Sequence, residues 1–109
     1  MEKFFDATQL WFWFIRMMKI HQESLLLNRV GYGAGRYKMQ LVDVQLVITQ
    51  LEQQNKLTPK MLEVLAKYSK RHTEPNKNIQ SQQQDRVVWD AAMAVLGAEF
   101  VRRGWTEKA

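Results

Sequence analysis

The sequence predicts an all-α protein, a bundle of about four helices with a long apolar first helix and a helix-turn-helix-like middle pair. Apolar residues recur at three- and four-residue intervals in four segments, sustained period-two alternation is almost absent, and the chain contains only 2 prolines. A length of 109 residues suits one modest core. We therefore predict that residues 1–109 form a single helical domain.

The first helix is predicted over residues 6–29. Asp6 stands where a side chain can accept the free N–H groups of a first helical turn. The segment is apolar over most of its girth, as central helices usually are. Three glycines at 31, 33 and 35 then end the helix. Their spacing does not match a phosphate-binding loop.

The second helix is predicted over residues 36–54. A strand remains an alternative over 42–48, because apolar and β-branched residues alternate there. The helical stripe lasts about four turns, which is too long for an ordinary strand. It consists of Tyr37, Leu41, Val44, Ile48 and Leu51.

The third helix is predicted over residues 59–70, with Thr58 as its N-cap and Pro59 in the first position. Leu57 and Leu62 are spaced to form a hydrophobic staple across that cap. Only a short turn separates this helix from the second one. The pair therefore has the outline of a helix-turn-helix.

The fourth helix is predicted over residues 82–103, after a mobile loop at 72–80. Ser81 and Gln84 match a capping box at its start. Gly104 can adopt the left-handed conformation that ends a helix, which would fold Trp105 back onto Phe100. Tryptophans in the first and fourth helices suggest that these two helices pack together.

Catalysis, cofactors and metal sites are not expected. The chain has no cysteine, which excludes disulfides, thiolate ligands and cysteine nucleophiles. His21 and His72 lie far apart, with no second ligand at metal-binding spacing. Asp85 and Asp90 would lie about 140° apart around a helix axis, too far round to act as a pair. The sequence predicts a binding protein rather than an enzyme.

Positive charge is the main functional signal. The formal net charge is +5, and the cations concentrate at 29–38 and 60–77. A concentrated basic surface is typical of proteins that bind a phosphate backbone. We predict that nucleic acid, either DNA or RNA, binds a surface formed by Arg36, Lys38, Lys60, Lys67, Lys70, Arg71 and Lys77.

An alternative function is a protein-interaction or oligomerisation module. Four Trp, five Phe and six Met are many large apolar side chains for a chain of this size. An exposed aromatic patch on the first helix would suit a protein partner or a second copy in a homodimer. The residues expected there are Phe4, Phe5, Trp11 and Trp13.

The apolar run at 10–15 is too short to cross a membrane, and no cleavage site follows it. We therefore expect a soluble, cytoplasmic protein without a membrane partner. Neither the basic nor the aromatic signal decides between the two functions.

Overall fold

A computed structural model describes residues 3–26 and 41–108. Within these ranges the protein is helical and has no strand, which confirms the all-α prediction. Residues 27–40, which include the glycine-rich joint and parts of the first two predicted helices, lie outside the described ranges. The helices are α1 (Ala7–Leu26), α2 (Leu41–Gln53), α3 (Pro59–Arg71) and α4 (Gln83–Arg102).

Side chains cap the starts of α1 and α3, as predicted. The Asp6 carboxylate accepts the Gln9 backbone N–H at 3.0 Å. The Thr58 hydroxyl accepts the Met61 backbone N–H at 3.2 Å, and a proline occupies the first turn. Both caps satisfy N–H groups that have no partner inside the helix.

The start of α4 differs from the prediction. No side-chain hydrogen bond caps this helix, so the predicted box at Ser81 and Gln84 is wrong. A 3-10 turn over Gln80–Gln82 leads into α4 instead. The side chain of Gln82 is used elsewhere, because its Oε1 accepts the Asn76 backbone N–H at 2.8 Å.

The end of α4 matches the prediction. Gly104 has a φ of 77°, a left-handed conformation that glycine adopts without steric cost. The Trp105 N–H donates to the Phe100 carbonyl at 2.9 Å. The two rings lie 5.7 Å apart between centroids, which is the contact that such helix ends favour.

The loop between α3 and α4 is attached to α4. Pro75 is buried, and its carbonyl accepts a hydrogen bond from Arg86 Nη1 at 3.2 Å. Asn76 makes the bond to Gln82 described above. The segment between α3 and the 3-10 turn covers residues 72–79, and the mobility expected of the loop at 72–80 remains a prediction.

Residues from all four helices form one core, and α4 contributes the most deeply buried tryptophan of that core. Trp89 is buried, stacks on Phe12 of α1 at 5.7 Å and meets the edge of Tyr68 of α3 at 6.3 Å. The predicted packing of the first helix against the fourth is confirmed. Residues 42–48 are helical and bury Val44 and Val47, so the strand alternative is wrong.

Residues near both ends of the chain pair outside the helices. The Phe4 N–H donates to the Trp105 carbonyl at 3.1 Å, and the Phe4 carbonyl accepts the Glu107 N–H at 2.8 Å. The Phe5 carbonyl accepts the Lys108 N–H at 3.0 Å. This terminal pairing joins the start of α1 to the segment that follows α4.

Candidate functional site

The outer side of α3 presents four of the predicted nucleic-acid-binding residues. Lys60, Lys67 and Arg71 are spaced by seven and four residues, which places them within about 40° of one another around the helix axis. Lys70 lies beside them, and all four residues are exposed. We call this set the basic face of α3.

Tyr68 supports the basic face from beneath. Its ring is buried, with the Lys67 ammonium 5.4 Å and the Arg71 guanidinium 5.3 Å from the ring centroid. Contacts between cations and an aromatic ring are attractive. The two cations are therefore held beside the same ring at the protein surface.

Asp85 of α4 links the two helices at this point. Its Oδ2 accepts hydrogen bonds from Lys67 Nζ and from the Tyr68 hydroxyl, each at 2.9 Å. These bonds hold the pKa of the Asp85 carboxyl below its usual range, with Lys67 as the main cause. Burial, aided by the bond to Asp85, raises the pKa of Tyr68.

Acidic residues offset part of the positive charge. Lys60 Nζ lies 3.8 Å from Glu63, and Asp85 pairs with Lys67. Glu74, in the segment after α3, is paired with Arg86 of α4 at 3.1 Å, so these two charges cancel. The remaining acids, Glu63 and Asp85, stand against five cations and leave a local charge of +3. The cations are Lys60, Lys67, Lys70, Arg71 and Lys77.

The other predicted nucleic-acid contacts are separate from α3. Lys77 is exposed in the following loop, where its carbonyl accepts a bond from Gln83 Nε2 at 3.3 Å. Arg36 and Lys38 lie outside the described residues. The structure therefore brings together four of the seven predicted positions.

The predicted aromatic interface is wrong for three of its four residues, because they are buried. Phe4, Trp11 and Trp13 lie in the core, so they do not form an exposed patch. Trp11 reaches α3, where its Nε1–H donates to the buried Ser69 hydroxyl at 2.8 Å. Ser69, the partner of Trp11, and Trp105, the partner of Phe4, come from distant parts of the chain, so helix periodicity alone did not reveal the burial.

Of the four predicted interface residues, only Phe5 is exposed, with 52% of its surface accessible. The Lys108 ammonium lies 5.2 Å from the centroid of its ring. This single ring is not the broad aromatic surface that the sequence predicted. An exposed apolar side chain standing alone is ordinary in a soluble protein.

A different apolar surface lies on α4 and was not predicted. Val87 is 65% exposed and Val101 is 39% exposed. Between them Ala91, Ala94 and Ala98 are also exposed, on the side opposite Trp89. We call these five residues the outer face of α4. Their steps of four, three, four and three residues repeat every 3.5 on average, a signal visible in the sequence.

A polar groove of about 270 Å³ lies where α2 meets the end of α4. Arg102 and Arg103 both hydrogen-bond Glu99, and these bonds lower the pKa of the Glu99 carboxyl to about 2. Arg103 also reaches Gln50 at 3.3 Å. Glu99, Arg102 and Arg103 therefore satisfy one another, and the bond from Arg103 to Gln50 joins the end of α4 to α2.

The described residues contain no group of three or more His, Cys, Asp or Glu side chains able to hold a metal ion. No helix in that part of the chain has the length and apolarity needed to cross a membrane. No known protein family, curated protein or solved structure matches the sequence.

Proposed function

We propose that this protein binds nucleic acid through the phosphate backbone, using the basic face of α3. The observation that supports the proposal is the alignment of Lys60, Lys67 and Arg71 on one exposed side of a helix, with Lys70 next to them. Phosphate contacts from Lys and Arg supply most of the affinity of sequence-independent binding.

The dimensions of the basic face suit a phosphate backbone. From Lys60 to Arg71 the helix rises about 16 Å, since each residue adds about 1.5 Å. One DNA strand presents a phosphate about every 3.4 Å along the duplex axis. The face therefore spans the axial length of about five phosphates of one strand.

The finer proposal is that α2, the turn at 54–58 and α3 act as a helix-turn-helix. In that arrangement α3 would lie against the nucleic acid and α2 would support it. Asn55 gives the turn a left-handed residue, with a φ of 60°. Lys77 extends the proposed surface beyond the end of α3.

Salt titration of binding tests the proposal. A labelled random-sequence duplex and the matching single strand are titrated with the protein at several salt concentrations. We expect binding to weaken with salt, with a log–log slope of about −0.9 per phosphate contacted on the duplex. Absence of binding to both probes at about 20 mM salt would reject the proposal.

Two matched triple variants locate the surface. The first changes Lys60, Lys70 and Arg71 to Gln and keeps Lys67, because Lys67 also bonds to Asp85. The control changes three exposed cations elsewhere, Arg16, Lys19 and Lys108, to Gln. Both variants lose the same charge. We expect the first to reduce the salt slope by about 3 and the control to leave it nearly unchanged. Equal losses in both would reject α3 as the binding surface.

A further inference from the structure

The four cations on the basic face of α3 are not equally available to a ligand. In the described part of the chain, Lys70 and Arg71 have no ion pair with an acid, and Lys60 has only a loose contact at 3.8 Å. Lys67 is different, because Asp85 Oδ2 lies 2.9 Å from its ammonium. The carboxylate places a negative charge directly beside one cation of the face.

Asp85 is held in a position from which it cannot turn away from Lys67. Its Oδ2 also accepts the Tyr68 hydroxyl at 2.9 Å, and Tyr68 is fully buried. Only 15% of the Asp85 side chain is exposed, against 47% of the Lys67 side chain. Asp85 is also the acid in the first turn of α4, where a negative charge interacts favourably with the helix dipole. Only the lysine end of this pair is therefore free to respond to a ligand.

A phosphate group that approaches Lys67 meets one of two unfavourable changes. If the ammonium keeps its bond to Asp85, phosphate and carboxylate contact the same ammonium, within about 6 Å of each other, and repel. If the ammonium leaves, the carboxylate loses a charged partner while it stays largely covered, which is unfavourable for a charged group. Lys70 and Arg71 impose neither change, because no acid is paired with them.

The influence of Asp85 extends along the basic face. The hydrogen bond from Lys67 is the main cause of the lowered pKa of Asp85, and the charge of Lys60 contributes to it. The bond to Asp85 raises the pKa of Lys67, and the like charge of Arg71 nearby acts against this rise. Asp85 therefore weakens the positive field in the middle of the face, where Lys67 lies between Lys60 and Arg71.

Building on the nucleic-acid binding proposed above, we propose that Asp85 limits the affinity of the basic face by neutralising Lys67. Phosphates are then contacted mainly by Lys60, Lys70 and Arg71. Asp85 thus supports the fold and opposes binding. Removing its charge weakens the contact between α3 and α4 and at the same time frees a fourth cation. A purely structural residue would not give these opposite effects.

Asp85→Asn tests the proposal, because asparagine keeps the shape of the side chain and removes its charge. Its binding to the random-sequence duplex is compared with that of the wild type over a range of salt concentrations. We expect an affinity about five- to tenfold higher at about 0.1 M salt, as for one added phosphate contact. The salt slope should become steeper by about 0.9 for the same reason.

Asp90→Asn is the matched control for Asp85→Asn. It removes an acid from the same helix, but the partner of Asp90 is Arg86 and not a cation of α3. It should change the affinity by less than about twofold, although both variants gain the same net charge. Urea denaturation adds a second readout, because Asp85→Asn should be less stable than the wild type while it binds more tightly. Circular dichroism establishes that both variants are folded during the titration.

Two lysine variants test the same idea without altering Asp85. Lys70→Gln removes a cation that has no acidic partner and should lower the salt slope by about 0.9. Lys67→Gln should lower the slope by less than half as much, because its charge is already used by Asp85. Both positions are exposed on α3, so the comparison is between two similar surface substitutions.

The outcomes separate the role of Asp85 from the proposed function. Absence of binding by both the wild type and Asp85→Asn at about 20 mM salt would reject the proposed function and this role with it. Binding by the wild type, with no gain in Asp85→Asn over Asp90→Asn, would overturn the role of Asp85 alone. Equal losses of slope in Lys67→Gln and Lys70→Gln would also overturn it. Tighter and more salt-dependent binding by a less stable Asp85→Asn would establish it.

Discussion

Helices α3 and α4 pack side by side, yet their outer sides have opposite chemistry. The exposed side of α3 includes Lys60, Lys67, Lys70 and Arg71, whereas the outer face of α4 consists of valine and alanine, with Asp90 and Arg102 exposed at its edges. Their inner sides are alike, because Tyr68 and Trp89 are both buried and touch each other. Packing in the core restricts the choice of residue only on the inner side of each helix. The outer sides are where these two neighbouring helices differ, because α3 carries concentrated positive charge there and α4 carries exposed valine and alanine.

The largest expected effect is a difference in stability between substitutions on the inner and outer sides of α4. Trp89→Ala removes a fully buried ring and should lower the free energy of unfolding by about 3–5 kcal/mol. Val87→Ala, two residues earlier but mostly exposed, should change it by less than about 0.5 kcal/mol. Urea denaturation at a protein concentration of a few micromolar measures both. Similar losses in the two variants would mean that Val87 is buried in solution.

The second prediction contrasts the acidic residues at the two ends of α4. The folded-state pKa of Glu99 is lowered to about 2 from 4.5, so its contribution to stability is present above pH 4.5. That contribution is lost as the pH falls towards 2. We expect Glu99→Gln to cost about 1–2 kcal/mol at pH 7 and almost nothing near pH 2.

Urea midpoints of wild type and Glu99→Gln, measured from pH 7 to pH 2, provide the test. Asp85, at the other end of α4, also has a lowered pKa, and Asp85→Asn should show a loss in the same direction over acidic pH. A gap between wild type and Glu99→Gln that stays constant with pH would contradict the assigned ion pairs.

The smallest expected effect compares how the two helices begin. Thr58→Ala removes the cap of α3 and should cost about 1 kcal/mol. Ser81→Ala removes a residue of the same kind just before α4, where no side-chain cap exists, and should cost less than about 0.3 kcal/mol. Thermal melts resolve this difference. A cost at Ser81 equal to that at Thr58 would indicate that the capping box forms in solution.

Local signals in the sequence predicted much of the fold. The cap at Thr58, the proline that follows it and the stop at Gly104 each depend on a few neighbouring residues, and all three are present in the structure. The prediction at Ser81 failed because a 3-10 turn joined to a tethered loop starts α4 in place of a side-chain cap. The local sequence at Ser81–Gln84 is compatible with either a side-chain cap or a 3-10 turn.

The sequence predicted less of the candidate site, because ion pairs and burial depend on distant contacts. Lys67 meets Asp85 at the surface between α3 and α4, and Trp11 meets Ser69 in the interior. No periodicity within one helix reveals either pair. The outer face of α4 could have been found from its 3.5-residue spacing. It was overlooked because the stronger apolar stripe through Trp89 and Phe100 accounted for the helix.

The terminal pairing has a consequence for synthesis. The backbone groups of Phe4 and Phe5 bond to residues 105–108, so these bonds cannot form until about a hundred more residues have been added. At about 5–20 residues per second, that interval is roughly 5–20 s. Trp13 packs on Phe4, so during the same interval its neighbour lacks the backbone bonds to residues 105–108. The start of α1 is therefore completed only after the segment that follows α4 has been synthesised.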